Sequence, residues 1–160
     1  MDKRRDLGVR IVTRMRELGM RPALGAFAGH VPAAFAARYP HAKISRSPDW
    51  AGFDAFDPDT TAFADVHLLD AADPLFTEVG KRFIQLQTST FGSDHIYQAD
   101  TFNEMAPASD DPSYLRASSA AVYAAMSAAD PDAIWLMQGW LFQSSWWKPP
   151  CACLSGLNSR

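Results

Sequence analysis

The chain has 160 residues, of which 48% are hydrophobic and 21% charged, and its formal net charge is -3. This composition is typical of a globular protein and excludes a disordered or fibrous chain. Basic residues are concentrated near the start, but Asp2, Asp6 and Glu17 interrupt them, which favours a solvated helix face. No apolar stretch reaches the ~18 residues that span a bilayer, and the start lacks the apolar core of a signal peptide. We therefore expect neither a nucleic-acid partner nor a membrane partner.

The first third of the chain predicts one helix that leads into a buried strand. Apolar residues recur at helical spacing from Asp6 to Leu18, and Gly19 is a typical helix end. The apolar run over residues 22–28 is too short for a helix and predicts a buried strand. A short Ala-rich helix is expected over residues 31–39. The following stretch, 40–72, contains several prolines and aspartates and is predicted to be irregular, which in a loop of this length is more often functional than not.

Two Asp-Pro pairs predict the starts of two long helices. Asp73 and Asp111 are suitable N-cap residues, and each precedes a proline at the first helical position. The first helix is predicted to run toward Phe91 and the second to Ala129. The inward residues expected on the second helix are Tyr114, Ala117, Ala121, Val122 and Ala125.

Two further strands are predicted over residues 95–99 and 134–140, each directly after one of the long helices. Alternating helices and apolar strands are typical of a parallel α/β sheet. The chain contains no Gly-x-Gly-x-x-Gly segment and no phosphate-binding loop, so a nucleotide site loses its main support. We therefore predict a partial (β/α)8 TIM barrel, with about three parallel strands and flanking helices, as one unit over residues 1–160.

The segment 100–105 carries the main functional prediction because it follows a buried strand. Reacting groups of parallel barrels gather at the carboxyl ends of the strands, so Glu104 is predicted to be a catalytic acid. The alternatives are that Glu104 caps the next helix or pairs with an arginine. Asn103 offers both a donor and an acceptor, which suits a sugar hydroxyl or amide, although turn formation is an equal alternative.

Two tryptophans are candidates for sugar binding. Trp50 and Trp140 present flat amphipathic surfaces that can stack on a sugar ring, although tryptophan is also common in cores. Trp140 closes the third strand and would lie on the same rim as Glu104. The remaining polar candidates, His30, His67, His95 and Asp100, match no known zinc spacing and are interpreted as structural groups. No metal and no cofactor is predicted.

Four segments in order resemble the alpha-N-acetylglucosaminidases, family 89 of the glycoside hydrolases: residues 26–32, 91–97, 99–105 and 138–143. The resemblance implies a retaining exo-hydrolase on a (β/α)8 barrel that removes terminal alpha-linked N-acetylglucosamine from glycans such as heparan sulfate. It also implies roles for four residues. Glu104 matches the general acid/base, Asn103 a neighbour that contacts the sugar, and Trp50 and Trp140 the aromatic residues that line the pocket.

Members of that family are several times longer, and their nucleophilic glutamate matches a position beyond Arg160. A complete barrel typically takes ~250 residues. We therefore expect an internal piece of the barrel, with both ends of the barrel missing, that is poorly stable and inactive alone. The alternatives are a non-catalytic carbohydrate-binding or scaffold remnant and, less favoured, a metal-dependent barrel hydrolase. Family members are lysosomal in animals or secreted in bacteria; the compartment and oligomeric state of this chain stay open.

Overall fold

The computed structural model describes residues 2–46, 66–101 and 107–138. These form four helices and six short strands in chain order. They are α1 (Asp2–Glu17), β1 (Leu24–Gly25), β2 (His30–Val31), α2 (Ala34–Arg38), β3 (Ile44–Arg46), β4 (His67–Leu69), α3 (Pro74–Phe91), β5 (Ile96–Gln98), α4 (Pro112–Ala129) and β6 (Ile134–Leu136). Within these ranges, no helix is both long enough and apolar enough to cross a membrane.

The main sheet is parallel and has the strand order β1-β5-β6. Its three strands coincide with the three predicted apolar runs, so the prediction of a parallel α/β unit is confirmed. Each strand is shorter than predicted because the ladder covers only two or three residues of each run. The helices α3 and α4 make the crossovers that lead into β5 and β6, as parallel neighbours require.

A second, antiparallel sheet has the order β2-β4-β3 and was not predicted. The expectation of irregular structure over residues 40–72 is therefore wrong for Ile44–Arg46 and His67–Leu69. Val31, expected in a helix, instead lies in β2. Strands of two or three residues are too short to show an alternating pattern, and their pairing is decided by contacts between distant parts of the chain.

The two long helices begin as predicted. Asp73 and Asp111 each accept a hydrogen bond from the backbone N–H two residues ahead, at 2.9 and 2.6 Å. The predicted inward face of α4 is only partly right, because Ala117 is exposed. Alanine occurs on both the buried and the exposed side of helices, so the spacing of alanines does not show which side of α4 faces the core. The buried residues of α4 are Leu115, Ser118, Ser119, Val122, Ala125 and Met126.

The hydrophobic core lies between the parallel sheet and the pair α3 and α4. Phe76 and Ile84 of α3 meet Val122 and Met126 of α4 and Tyr97 of β5, all 1% exposed or less. The two helices approach closely at one position, where a Cβ built on Gly80 would lie 2.6 Å from the Cβ of Ala125. Glycine is therefore required at position 80 by the distance between the helix backbones.

Replacing Gly80 with alanine tests this close approach. Alanine gains about 1 kcal/mol of helix propensity, but forcing the helices apart costs about 1–3 kcal/mol. Because the overlap at 2.6 Å involves a Cβ fixed to the backbone, we expect a net loss measurable as a lower urea midpoint. The double variant Gly80→Ala/Ala125→Gly should recover part of that loss. A Gly80→Ala protein as stable as the wild type would contradict this account.

The two N-caps should differ in their contribution to stability. Asp111 is exposed and caps its own helix, so Asp111→Ala should lower the midpoint of chemical unfolding only slightly. Asp73 is 7% exposed and its second oxygen also accepts from the Lys43 backbone N–H at 2.7 Å. Asp73→Ala leaves that N–H without its partner and should cost about 2–3 kcal/mol. Equal losses in chemical unfolding would show that the Lys43 contact contributes nothing.

Candidate functional site

The carboxyl ends of the three parallel strands lie level with one another. Gly25 is in register with Gln98, and Gln98 with Leu136. Two hydrogen bonds continue this alignment beyond the ladder: the Ala26 N–H donates to the Gln98 carbonyl at 2.7 Å, and the Trp135 indole N–H donates to the Ala99 carbonyl at 3.2 Å. The segments that follow the strands therefore all start from one edge, where barrels collect their reacting groups.

The four predicted site residues lie outside the described residues. Asn103 and Glu104 follow the last described residue after β5, Trp140 follows the last after β6, and Trp50 falls between residues 46 and 66. The described structure thus fixes where the chain leaves the sheet before Asn103, Glu104 and Trp140. It brings none of the four side chains together, and their roles stay predictions.

Two of the polar candidates, His30 and Asp100, follow β1 and β5 along the chain. Burial lowers the pKa of His30, although the residue keeps solvent exposure, and the negative charge of Asp100 opposes that shift. Of the other histidines considered as metal ligands, His67 lies on β4 and His95 at the opposite end of β5. Within the described ranges these groups do not form one cluster, and their interpretation as structural groups stays a prediction.

A polar cluster at the amino edge of the sheet was not predicted. The Asp130 carboxylate accepts hydrogen bonds from the Tyr97 hydroxyl at 2.7 Å and from Ser93 at 3.1 Å. His95 Nδ1 lies 2.9 and 3.0 Å from the two Asp130 oxygens, and the Asp132 backbone N–H also donates to Asp130. The cluster joins the residues before β5 to those before β6.

The contacts determine how these groups ionise. Burial alone would raise the pKa of Asp130, but the hydrogen bonds from Tyr97, His95, Asp132 and Ser93 outweigh it and hold the pKa below its ordinary value. Burial and the hydrogen bond to this carboxylate raise the pKa of Tyr97 to about 12. Asp130 is therefore an anion and Tyr97 a neutral donor across the physiological range.

This amino-edge cluster is best explained as a structural tie. His95, Asp130 and Asp132 bring three potential metal-ligand atoms within 4.8 Å of one another. Both Asp130 oxygens already accept protein hydrogen bonds, however, and a cation would have to displace them. The cluster also lies at the edge opposite to the one where barrels carry out catalysis. The sequence contained no local signal for it, because Asp130 and His95 are far apart along the chain.

Comparison with known proteins identifies the family. The sequence model of the Alpha-N-acetylglucosaminidase (NAGLU) tim-barrel domain matches residues 1–159. The chain belongs to the alpha-N-acetylglucosaminidase family. It is similar to the human alpha-N-acetylglucosaminidase, with 44% identity over 142 residues, which is 88% of this chain and 18% of the human protein. Its membership in a family of glycoside hydrolases, expected from the four segments, is confirmed.

Solved structures from the same family share the fold. The family 89 glycoside hydrolase from Clostridium perfringens, in complex with PUGNAc, is 25% identical with a TM-score of 0.76, covering 98% of this chain and 17% of that one. The complex of that hydrolase with 2-acetamido-1,2-dideoxynojirmycin gives 25% identity and a TM-score of 0.73, covering 98% and 16%. The partial TIM-barrel prediction is confirmed, and the chain spans less than a fifth of the length of these relatives.

The amino-edge cluster predicts a specific acid dependence of stability. The pKa of Asp130 is lower in the folded protein than its ordinary value of 3.8. The Asp130 carboxylate therefore makes its full contribution to the free energy of unfolding above the unfolded-state pKa, and this contribution disappears as the pH falls through the folded-state pKa. Asp130→Asn should cost about 1–3 kcal/mol at pH 7. In urea unfolding, the difference in the free energy of unfolding between Asp130→Asn and the wild type should decrease below about pH 4.

The exposed residue Asp110 provides the matched control. Asp110→Asn makes the same chemical change outside the cluster, and its unfolding midpoint should stay close to that of the wild type at every pH. If the free energy of unfolding of Asp130→Asn differs from that of the wild type by the same amount from pH 7 to pH 3, the charge of Asp130 does not stabilise the fold.

Proposed function

We propose that this chain carries the acid/base half of a retaining exo-hydrolase that removes terminal alpha-linked N-acetylglucosamine from glycans. The observation that supports this most directly is the level carboxyl edge of β1, β5 and β6 in a chain of the alpha-N-acetylglucosaminidase family. Glu104 follows β5 from that edge along the chain, where a barrel hydrolase needs its proton donor.

In the proposed mechanism, Glu104 acts twice. Its carboxylic acid first protonates the leaving glycosidic oxygen while a second carboxylate attacks the anomeric carbon, and its carboxylate then takes a proton from the water that releases the sugar. A retaining enzyme holds these two carboxyl groups about 5–5.5 Å apart. We assign the second carboxylate to a part of the barrel outside this chain, because the chain spans only 18% of the human relative.

The remaining site residues would bind the terminal sugar. Trp50 and Trp140 would supply flat surfaces for its ring, and Asn103 would hydrogen-bond a hydroxyl or the acetamido group. The sugar class is supported by a further Clostridium perfringens family 89 structure, which holds that enzyme's substrate GlcNAc-alpha-1,4-galactose. Heparan sulfate is the natural glycan that the family resemblance favours. The proposed partner is thus a glycan that ends in N-acetylglucosamine.

Glu104→Gln in the full-length enzyme that contains this segment tests the acid/base role. Glutamine cannot donate the proton, so kcat for a substrate with a poor leaving group such as a sugar should fall by about 10²–10⁴-fold. An aryl glycoside with an acidic phenol as leaving group needs less protonation, so the rate of its first step should fall less in the Glu104→Gln variant. Glu78→Gln makes the same change on an exposed position of α3 and should leave both rates unaltered. Wild-type turnover by Glu104→Gln would remove Glu104 from the mechanism.

Assays of the 160-residue chain and of the full-length protein together distinguish the enzyme from a binding remnant. We expect no turnover by the chain alone, since double displacement requires two carboxyl groups. Turnover by this chain without any added protein would contradict the assignment of the nucleophile to another segment. If the full-length protein bound N-acetylglucosamine but hydrolysed no glycoside, the alternative of a non-catalytic carbohydrate-binding or scaffold protein would hold instead.

A further inference from the structure

The two faces of the parallel sheet are covered differently. Tyr97 of β5 is 1% exposed and belongs to the core between the sheet and the helices α3 and α4. Because successive residues of a strand point to opposite faces, its neighbours Ile96 and Gln98 face away from these helices. The register places Ile134 beside Ile96 and Leu136 beside Gln98. These residues therefore lie on the face that becomes the interior of a closed barrel.

The inner face changes from apolar to polar toward the carboxyl edge. Nearer the amino edge, Ile96 pairs with Ile134, and bulky branched residues of this kind fill barrel interiors. The next level consists of Gly25, Gln98 and Leu136, which are in register with one another. Gln98 is exposed, and its side-chain amide makes no hydrogen bond to the described residues. An amide that becomes covered needs a polar partner, so Gln98 requires one on this face.

The neighbours of Gln98 leave room for a ligand and give it an apolar contact. Gly25 has no side chain, and a Cβ built there would meet nothing within 4 Å. Leu136, on the other side, is 49% exposed and offers an apolar surface. From β1 to β6 this level thus presents an open space, an amide and an apolar side chain. An acetamido group has matching parts, because it combines an amide N–H and C=O with a methyl group.

A polar side chain from another strand of the barrel is the alternative partner of Gln98, and two observations favour a ligand instead. The position beside Gln98 is left unfilled by Gly25, whereas the layers of a barrel core are filled by bulky side chains. Polar groups also continue toward the carboxyl edge. Asp100 follows two residues after Gln98, and its negative charge acts on His30. The level of Gln98 is therefore the lowest polar level below the edge where ligands bind.

We infer that Gln98 is a further substrate-binding residue, whose side-chain amide hydrogen-bonds the acetamido group of the terminal sugar while Leu136 contacts the methyl group. The inference rests on the proposed function, because it assigns a recognition role within the same sugar site. The Gln98 NH₂ group donates to the acetamido carbonyl, and the Gln98 carbonyl accepts from the acetamido N–H. A hydroxyl group has one polar atom and no methyl group, so this level binds it less well. Gln98 thus selects 2-acetamido sugars over 2-hydroxy sugars.

Two iminosugars that differ in this group test the inference on the full-length enzyme that contains this segment. One is 2-acetamido-1,2-dideoxynojirmycin, the compound in complex with the Clostridium perfringens hydrolase. The other is 1-deoxynojirimycin, which carries a hydroxyl group in place of the acetamido group. Gln98→Leu keeps a side chain of similar size without its polar atoms. It should raise the dissociation constant of the acetamido compound about tenfold or more, and that of the hydroxyl compound less than about threefold, as measured by titration calorimetry.

A control and a second variant accompany this measurement. Gln85→Leu makes the same chemical change at an exposed position of α3 and should leave both dissociation constants unaltered. Gly25→Val fills the space beside Gln98, where a Cβ meets no other atom within 4 Å. Because it narrows the room for the larger group, Gly25→Val should also weaken binding of the acetamido compound more than binding of the hydroxyl compound. It replaces Gln98→Leu in the comparison if that variant does not fold.

Two results would overturn the inference. Equal weakening of both iminosugars by Gln98→Leu would show that the amide supports the barrel and does not read the acetamido group. Unchanged affinity for both compounds would show that Gln98 does not contact the sugar. Either result leaves the proposed function intact if the wild-type enzyme hydrolyses alpha-N-acetylglucosaminides. A wild-type enzyme without that activity would contradict the proposed function and, with it, this inference.

Discussion

The parallel pairing of β1, β5 and β6 is the constraint on which the rest of the structure depends. Leu24 pairs with Tyr97 and Tyr97 with Trp135, although these residues are far apart in sequence. Parallel neighbours cannot be joined by a tight turn, so a helix must cross between them. α3 and α4 make these crossovers, and their close contact at Gly80 and Ala125 covers the sheet. Strand register and helix packing therefore depend on each other.

The two edges of this sheet differ in the residues that they carry. At the amino edge, Asp130 accepts hydrogen bonds from Tyr97, Ser93 and His95 and holds the starts of β5 and β6 together. His95 has a φ of 63°, a backbone conformation that is uncommon outside glycine, and its N–H donates to Ser93 at 2.9 Å. At the carboxyl edge the strand ends are level and lead into the segments that carry the predicted residues Asn103, Glu104 and Trp140. Rigidity at one edge supports the positioning of groups at the other.

The helices and the strands of the parallel sheet could be predicted from the sequence, and the strands of the antiparallel sheet could not. Asp73 and Asp111, each before a proline, located the starts of α3 and α4 because capping is decided by neighbours in the chain. The strands at Ile44–Arg46 and His67–Leu69 were missed, since their pairing depends on partners distant in sequence. The same reason explains why the contact between His95 and Asp130 was not foreseen. For the candidate site, the sequence supplied Glu104, Asn103, Trp50 and Trp140 through their position and chemistry and through the family resemblance, and their roles stay predictions.

The sequence by itself determined the class of fold, the capped helices, the order of apolar strands and the family, because each of these is carried by local spacing or by short segments. Only the tertiary structure decided that Gly25, Gln98 and Leu136 lie level, that Gly80 meets Ala125, and that one side of α1 is covered while Leu7, Ile11 and Leu18 are exposed. These features are distances between residues remote in the chain. They arise when the burial of apolar surface brings whole elements together, and no local pattern encodes them.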